Sequence, residues 1–436
     1  MMNILATWPE HANFHRRFPV DRAHLTIGVR YFCAQAEKGL PMFQQYETAK
    51  ADFLAIEPRF QSDVMETLSR TGFDEAEAEI TAWEGYKSTS IFDLAGLADT
   101  LGLKAVYYKH EGPRFGLGSF KALGGAYAVL RCIQRELSDT QGRKITVEEI
   151  RNGHFASQIS AMTIISATDG NHGRSVAWGA QMFGAKCRIY IHAEVSAFRA
   201  DAMQNLGAEV VRINGDYDET VAQTRIDSEE FGWRIVSDTS WPGYCLPPLD
   251  VMAGYGVMAR EIVQQLPEPP THVFLQGGVG GLAASVNAAF HQEWDKAAPR
   301  SIVVEPELAP CLFASAKAGA PTSVKIEEET LMAGLSCGEP SQIAWQILEN
   351  SVHGFMTIPE TLVAPAVQML AKGQSGDCGI EAGESAVAGL IGLICGATSP
   401  SLRDEMKLDS ESRVLIVGSE GVTDPNLFRA ILRNHD

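Results

Sequence analysis

From about residue 104 onward, short apolar runs alternate with longer stretches of helical spacing. The runs are Ala105-Val106-Tyr107-Tyr108, Thr163-Ile164-Ile165, Arg188-Ile189-Tyr190-Ile191, Val210-Val211-Arg212-Ile213, His272-Val273-Phe274-Leu275, Ile302-Val303-Val304 and Val414-Leu415-Ile416-Val417. A strand that is apolar at successive positions has both faces buried, as in a parallel sheet covered by helices on each side. The pattern therefore predicts an α/β fold. Helix ends are marked too: Asp250 is expected to cap a helix running through Ile262, Pro359 to open the next helical stretch, and Gly207 and Gly232 to stand where helices stop. The polar, glycine-rich stretch from Lys372 to Ser385 reads as a loop, compatible with a slack surface connection or an active-site lid. The first 45 or so residues, rich in His, Arg and aromatics, lack periodicity and read as an arm.

With 436 residues, 45% of them apolar, the chain can bury a large core, and that length predicts two domains or one two-lobed enzyme. A formal charge of -18, with no basic run to offset it, argues against nucleic acid and membrane surfaces as partners. The start, Met1 to Glu10, has neither a basic opening nor a sustained apolar stretch, so no signal peptide is expected. No apolar run reaches the roughly 18 residues needed to span a bilayer. The cysteines are scattered, with no C-x-x-C pair, so neither a metal site nor a disulfide framework is expected, and a cytoplasmic location follows.

Four clusters fall after expected strands, where open α/β sheets bind ligands. The first, Arg114 to Ala126, holds Ser119-Phe120-Lys121 at a helix start, where the helix dipole opposes the lysine's charge and favours a nucleophilic amine. A surface lysine ahead of a glycine-softened helix fits the same spacing. The second, Ala167-Thr168-Asp169-Gly170-Asn171-His172-Gly173-Arg174, opens another helix, and Asp169 alone fits an N-cap. The third, Leu275-Gln276-Gly277-Gly278-Val279-Gly280-Gly281-Leu282-Ala283, suits a phosphate held by backbone N–H groups. It also fits close packing or a dinucleotide turn, although it departs from G-x-G-x-x-G. The fourth, Val417-Gly418-Ser419-Glu420-Gly421-Val422-Thr423-Asp424, reads on its own as a turn with capping residues.

Taken together, Ser119-Phe120-Lys121 and Gly170-Asn171-His172-Gly173 resemble the pairing in serine and threonine dehydratases. Asp169, standing where those enzymes usually carry Ser, makes the second cluster resemble the diaminopropionate ammonia-lyase family specifically. Further matches cover Asp238-Thr239-Ser240-Trp241-Pro242-Gly243-Tyr244, Glu305-Pro306, Met332 to Pro340 and Gly383-Glu384-Ser385, so the resemblance spans roughly residues 80 to 425. It departs at Tyr86-Lys87-Ser88-Thr89-Ser90-Ile91, where the family tends to have Tyr-x-Pro-Thr-Pro-Leu, and at Lys109-His110-Glu111, where it has Lys-Asp-Glu.

The resemblance implies the second fold type of pyridoxal-phosphate enzymes: two lobes, each with a twisted, mostly parallel sheet covered by helices, and the cofactor between them. It implies a large domain of residues 1–134 and 246–436 and a small mobile domain of 135–245. It assigns Lys121 the covalent bond to pyridoxal 5'-phosphate, Asn171 the cofactor's 3-hydroxyl, Ser419 its pyridine nitrogen, Gly277, Gly278, Val279, Gly280 and Gly281 its phosphate, and Phe120 a cofactor contact. Lys121 and Asp169 are implied as bases on opposite faces of the substrate, and Asp238 as anchor for its β-ammonium. Thr168 and Tyr244 complete the implied substrate contacts, in a homodimer acting on a small amino acid. A hydroxyamino-acid dehydratase would share every cofactor contact without needing both Asp169 and Asp238. A β-replacement synthase usually carries Ser-Gly-Asn-Thr-Gly in place of Asp169 to Gly173, and a silent binding subunit would be expected to lose Lys121.

Overall fold

The computed structural model describes residues 43–59, 67–168, 170–215 and 217–433. Asp169 and the expected arm, as far as residue 42, lie outside the described residues. The strands are β1 (Asp52–Ala55), β2 (Ile91–Asp93), β3 (Ala105–His110), β4 (Thr163–Ala167), β5 (Lys186–Ile191), β6 (Glu209–Arg212), β7 (Arg234–Ile235), β8 (His272–Gln276), β9 (Arg300–Pro306), β10 (Gly354–Ile358) and β11 (Arg413–Gly418). They form a seven-stranded sheet ordered β1-β10-β9-β8-β11-β3-β2 and a four-stranded sheet ordered β6-β5-β4-β7. The small sheet is parallel throughout, whereas the large one has antiparallel strands at its two edges, β1 and β2.

The seven apolar runs are all strands, and their side chains show why they read as continuous. Along β11, Leu415 and Val417 enter one buried core while Val414 and Ile416 enter the other. Phe274 on β8 and Ile302 and Val304 on β9 likewise face away from Val273, Leu275 and Val303. With both faces apolar, the alternation of a half-exposed strand disappears. Sequence patterning missed β1, β2, β7 and β10. The first two are short edge strands and β7 has two residues, while β10 is buried throughout but mixes Gly, Met and Thr.

Four helices position the site: α1 (Lys121–Gln141), α2 (Asn171–Phe183), α3 (Leu246–Gln265) and α4 (Gly281–Trp294). The structure corrects the cap expected at Asp250. Pro247 and Pro248 favour an earlier start, at Leu246, because a first helical turn leaves backbone N–H groups unpaired anyway. Asp250 lies inside α3 and binds Arg135 at 2.6 Å. Helices α1 and α2 meet almost backbone to backbone: the Ser175 hydroxyl accepts the Ala126 amide at 3.0 Å, and a methyl group on Gly125 would stand 2.5 Å from Ser175 Oγ. One on Gly179 would stand 2.6 Å from Ala126 Cα.

The Lys372–Ser385 loop is tied down in its middle. Asp377 accepts the amides of Gly96 and Leu97 at 2.8 and 3.0 Å, capping the helix Ala95–Leu101. Among the described residues, no single helix is long and apolar enough to cross a membrane, and no group of three or more His, Cys, Asp or Glu could hold a metal ion.

Candidate active site

Lys121 is the first residue of α1, and its Nζ lies 2.7 Å from Asp238 Oδ2, just beyond β7. Burial alone would raise the Asp238 carboxyl, but the Lys121 ammonium and then His172 outweigh it and hold the group well below the ordinary carboxylate range. His172 Nδ1 is 3.8 Å from the same oxygen, while its Nε2 lies 3.0 Å from the Val236 carbonyl. Asn171, which opens α2, donates to Glu420 Oε2 at 2.5 Å. Phe120 donates its amide to the Ser419 carbonyl at 3.0 Å, so the Lys121 helix and the turn after β11 are joined directly.

The third cluster turns sharply after β8. Gly278 (φ 62°) and Gly280 (φ 95°) adopt the left-handed backbone that glycine tolerates without a Cβ clash. The turn leads into α4, whose first amides have no partner within the helix, and a methyl on its first residue, Gly281, would lie 3.9 Å from the Asp238 carbonyl. The amides of Gly277 and Gly280 already bond to the Val304 and Gly277 carbonyls, at 2.8 and 3.2 Å, so these residues shape the loop. Beneath it, a methyl on Gly277 would stand 2.4 Å from Glu305 Cγ. Glu305 accepts the Leu312 and Phe313 amides at 2.9 and 2.7 Å, and burial still pushes its carboxyl up to about 8.

A buried ion network fixes the segment leading to Lys121. Glu261 takes Lys109 at 2.7 Å, Arg114 at 2.7 Å and the Tyr86 hydroxyl at 2.9 Å. Glu111 takes Arg114 at 2.8 Å and Thr89 at 2.5 Å. Two cations meet two carboxylates, so no charge is left buried alone. Tyr86, Thr89, Lys109 and Glu111 are the positions at which this chain keeps the family pattern, and its departures fall between them. Phe115 then adopts φ 50°, a strained value for an aromatic residue, and packs on Trp178 of α2 at 4.8 Å between ring centroids.

Two implied substrate contacts are engaged elsewhere. The Thr168 hydroxyl accepts the amides of Gly170 and Gly173 at 3.1 and 3.2 Å, serving as the local cap that Asp169 alone would fit. Tyr244 donates to the Ile235 carbonyl at 2.9 Å, accepts the Ser237 amide at 3.0 Å, and stacks on Trp241 at 3.9 Å. It braces the segment that carries Asp238.

Residues 82–420 match the model of the pyridoxal-phosphate dependent enzyme family. Over 355 residues, 80% of this chain and 88% of the relative, the sequence is 36% identical to diaminopropionate ammonia-lyase of Escherichia coli (strain K12). The chain belongs to the diaminopropionate ammonia-lyase family of pyridoxal-phosphate dependent enzymes. A crystal structure of the Escherichia coli enzyme in complex with an aminoacrylate-PLP azomethine reaction intermediate matches with TM-score 0.78 at 34% identity, covering 88% of this chain and 97% of that one. A probable D-serine dehydratase of Shouchella clausii is 26% identical over 64% of each sequence.

The cofactor of this family is pyridoxal phosphate, and the residues present fit it. The α4 start offers N–H groups for a phosphate, Lys121 offers an amine, and the buried Tyr255 and Ser385 hydroxyls lack hydrogen-bond partners among the described residues. Sequence reading passed over His172, Tyr255, Ser385 and Glu420 as site residues. Motifs already contained His172, Ser385 and Glu420, but Tyr255 sits inside an apolar helical stretch and carries no local signal.

Proposed function

We propose that this enzyme, with pyridoxal 5'-phosphate held by Lys121, eliminates the β-amino group of 2,3-diaminopropionate, and that water completes the conversion to pyruvate and two ammonia. The observation that carries this reading is the Asp238 carboxylate on Lys121 Nζ at 2.7 Å, kept ionised within the site. A diamino acid brings a second ammonium able to take the place of Lys121 on that carboxylate, whereas the hydroxyl of serine brings no charge.

When bound, the cofactor supplies the electron sink that makes the α C–H bond labile. Asn171 and Ser419 orient its ring, and the first amides of α4 hold its phosphate. Once the substrate amine has taken its place on the cofactor, the freed Lys121 amine would accept the α-proton on one face, and Asp169 would be the base for the other enantiomer. Arg174 and Arg199, which line the same cleft as Asn171 and Glu420, offer positive charge to the substrate carboxylate.

We further propose a large domain of residues 1–134 and 246–436, a small mobile domain of 135–245, a homodimeric assembly and a cytoplasmic location. Free thiols at Cys132, Cys187, Cys311 and Cys395 support a reducing compartment. The test is pyruvate release from L- and D-2,3-diaminopropionate, serine and threonine under identical conditions. A preference for serine or threonine would replace this assignment with a dehydratase.

A further inference from the structure

Tyr255 lies in the middle of α3 and is 2% exposed. Its ring packs on Phe120 at 4.6 Å between centroids, next to Lys121. Two glycines bracket that ring: a methyl on Gly124 would lie 2.4 Å from Cε1, and one on Gly281 would lie 3.9 Å from Cε2. The side chain is therefore wedged between the starts of α1 and α4. Its hydroxyl is buried and has no hydrogen-bond partner among the described residues. Burial pushes its acidity far below that of ordinary tyrosine, so it is a neutral donor at any working pH.

A buried hydroxyl left unpaired destabilises the chain that carries it, unless something outside the chain bonds to it. The substrate side of the cleft, lined by Asn171, Arg174, Arg199 and Glu420, does not include Tyr255. Its neighbours are instead Lys121 and Gly281, the latter opening the helix whose amides suit an anion. We infer that the Tyr255 hydroxyl donates a hydrogen bond to the phosphate of the bound cofactor, adding a side-chain donor to the backbone amides of α4. This rests on pyridoxal phosphate being the resident cofactor.

The test compares apo wild type with apo Tyr255→Phe, each titrated with pyridoxal phosphate and with pyridoxal and followed by visible absorbance. Tyr255→Phe keeps the ring and removes only the hydroxyl, so the apo variant is expected to melt no lower than wild type. Its affinity for pyridoxal phosphate is expected to fall at least tenfold, about 1.4 kcal/mol, while its affinity for pyridoxal stays within twofold. The ³¹P resonance of the bound cofactor is expected to shift between the two proteins. Equal losses for both ligands, or no loss for either, would overturn the Tyr255 assignment. Failure of wild type to bind pyridoxal phosphate would overturn the cofactor reading instead.

Discussion

Lys121 and Asp238 touch at 2.7 Å although 117 residues separate them, so the amine at the start of one helix and the carboxylate beyond a short strand form a single unit. Removing either partner alters the other. Asp238→Asn is therefore expected to slow every substrate to some degree. A charge-assisted hydrogen bond contributes roughly 1.5–3 kcal/mol, so the ratio of kcat/KM for 2,3-diaminopropionate over serine should fall by about tenfold or more. Steady-state pyruvate assays on both substrates read this ratio, and an unchanged ratio removes Asp238 from substrate selection.

Lys121→Ala is expected to abolish turnover and the visible band of the bound cofactor, and borohydride should no longer fix cofactor to the chain. A variant that still acquires the label identifies a different lysine. The lysine that precedes it in the chain, Lys109, is fully buried on Glu261, which makes it a structural cation.

Gly278→Ala and Gly280→Ala separate backbone conformation from packing. Both force a side chain into a left-handed backbone, a strain of about 1–3 kcal/mol. At Gly278 the added methyl meets only ordinary contacts at 3.6 Å, whereas at Gly280 it presses on Ala344 and Leu348 at 3.1 Å. Both variants should retain cofactor more weakly in equilibrium dialysis, and Gly280→Ala should show the greater loss in melting temperature. Wild-type affinity in both would leave the loop no part in holding phosphate.

Glu305 predicts a pH dependence. Its carboxyl, ordinarily near 4.5, is raised by burial to about 8, so the folded chain holds a proton that the unfolded chain releases. The resulting stability is complete below pH 4.5 and is lost as pH rises through about 8, at up to roughly 1.4 kcal/mol per pH unit. Glu305→Gln cannot titrate. The melting-temperature advantage of wild type over this variant should shrink between pH 5 and pH 8.5, and parallel curves would place the proton elsewhere.

The large sheet was legible because β3, β8, β9 and β11 bury both faces, and the helix starts at Lys121, Asn171 and Gly281 were legible because their motifs are local. Asp250 was misread as a cap because the pattern of apolar positions marks where a helix is covered, while the prolines at 247 and 248 mark where it begins. Tyr255 was invisible for a different reason. Nothing within α3 distinguishes it from a core aromatic until α1 and α4 fold against its ring.

The near contact of α1 and α2 through Gly125, Ser175, Ala126 and Gly179 leaves no side-chain slack to absorb sliding. Lys121 and Asn171, at the tips of these two helices, therefore keep one fixed spacing, like two jaws machined from a single block. Because α1 begins in the proposed large domain and α2 lies wholly in the proposed small one, any motion between those two domains has to leave this contact intact and fall on parts of the small sheet farther from it.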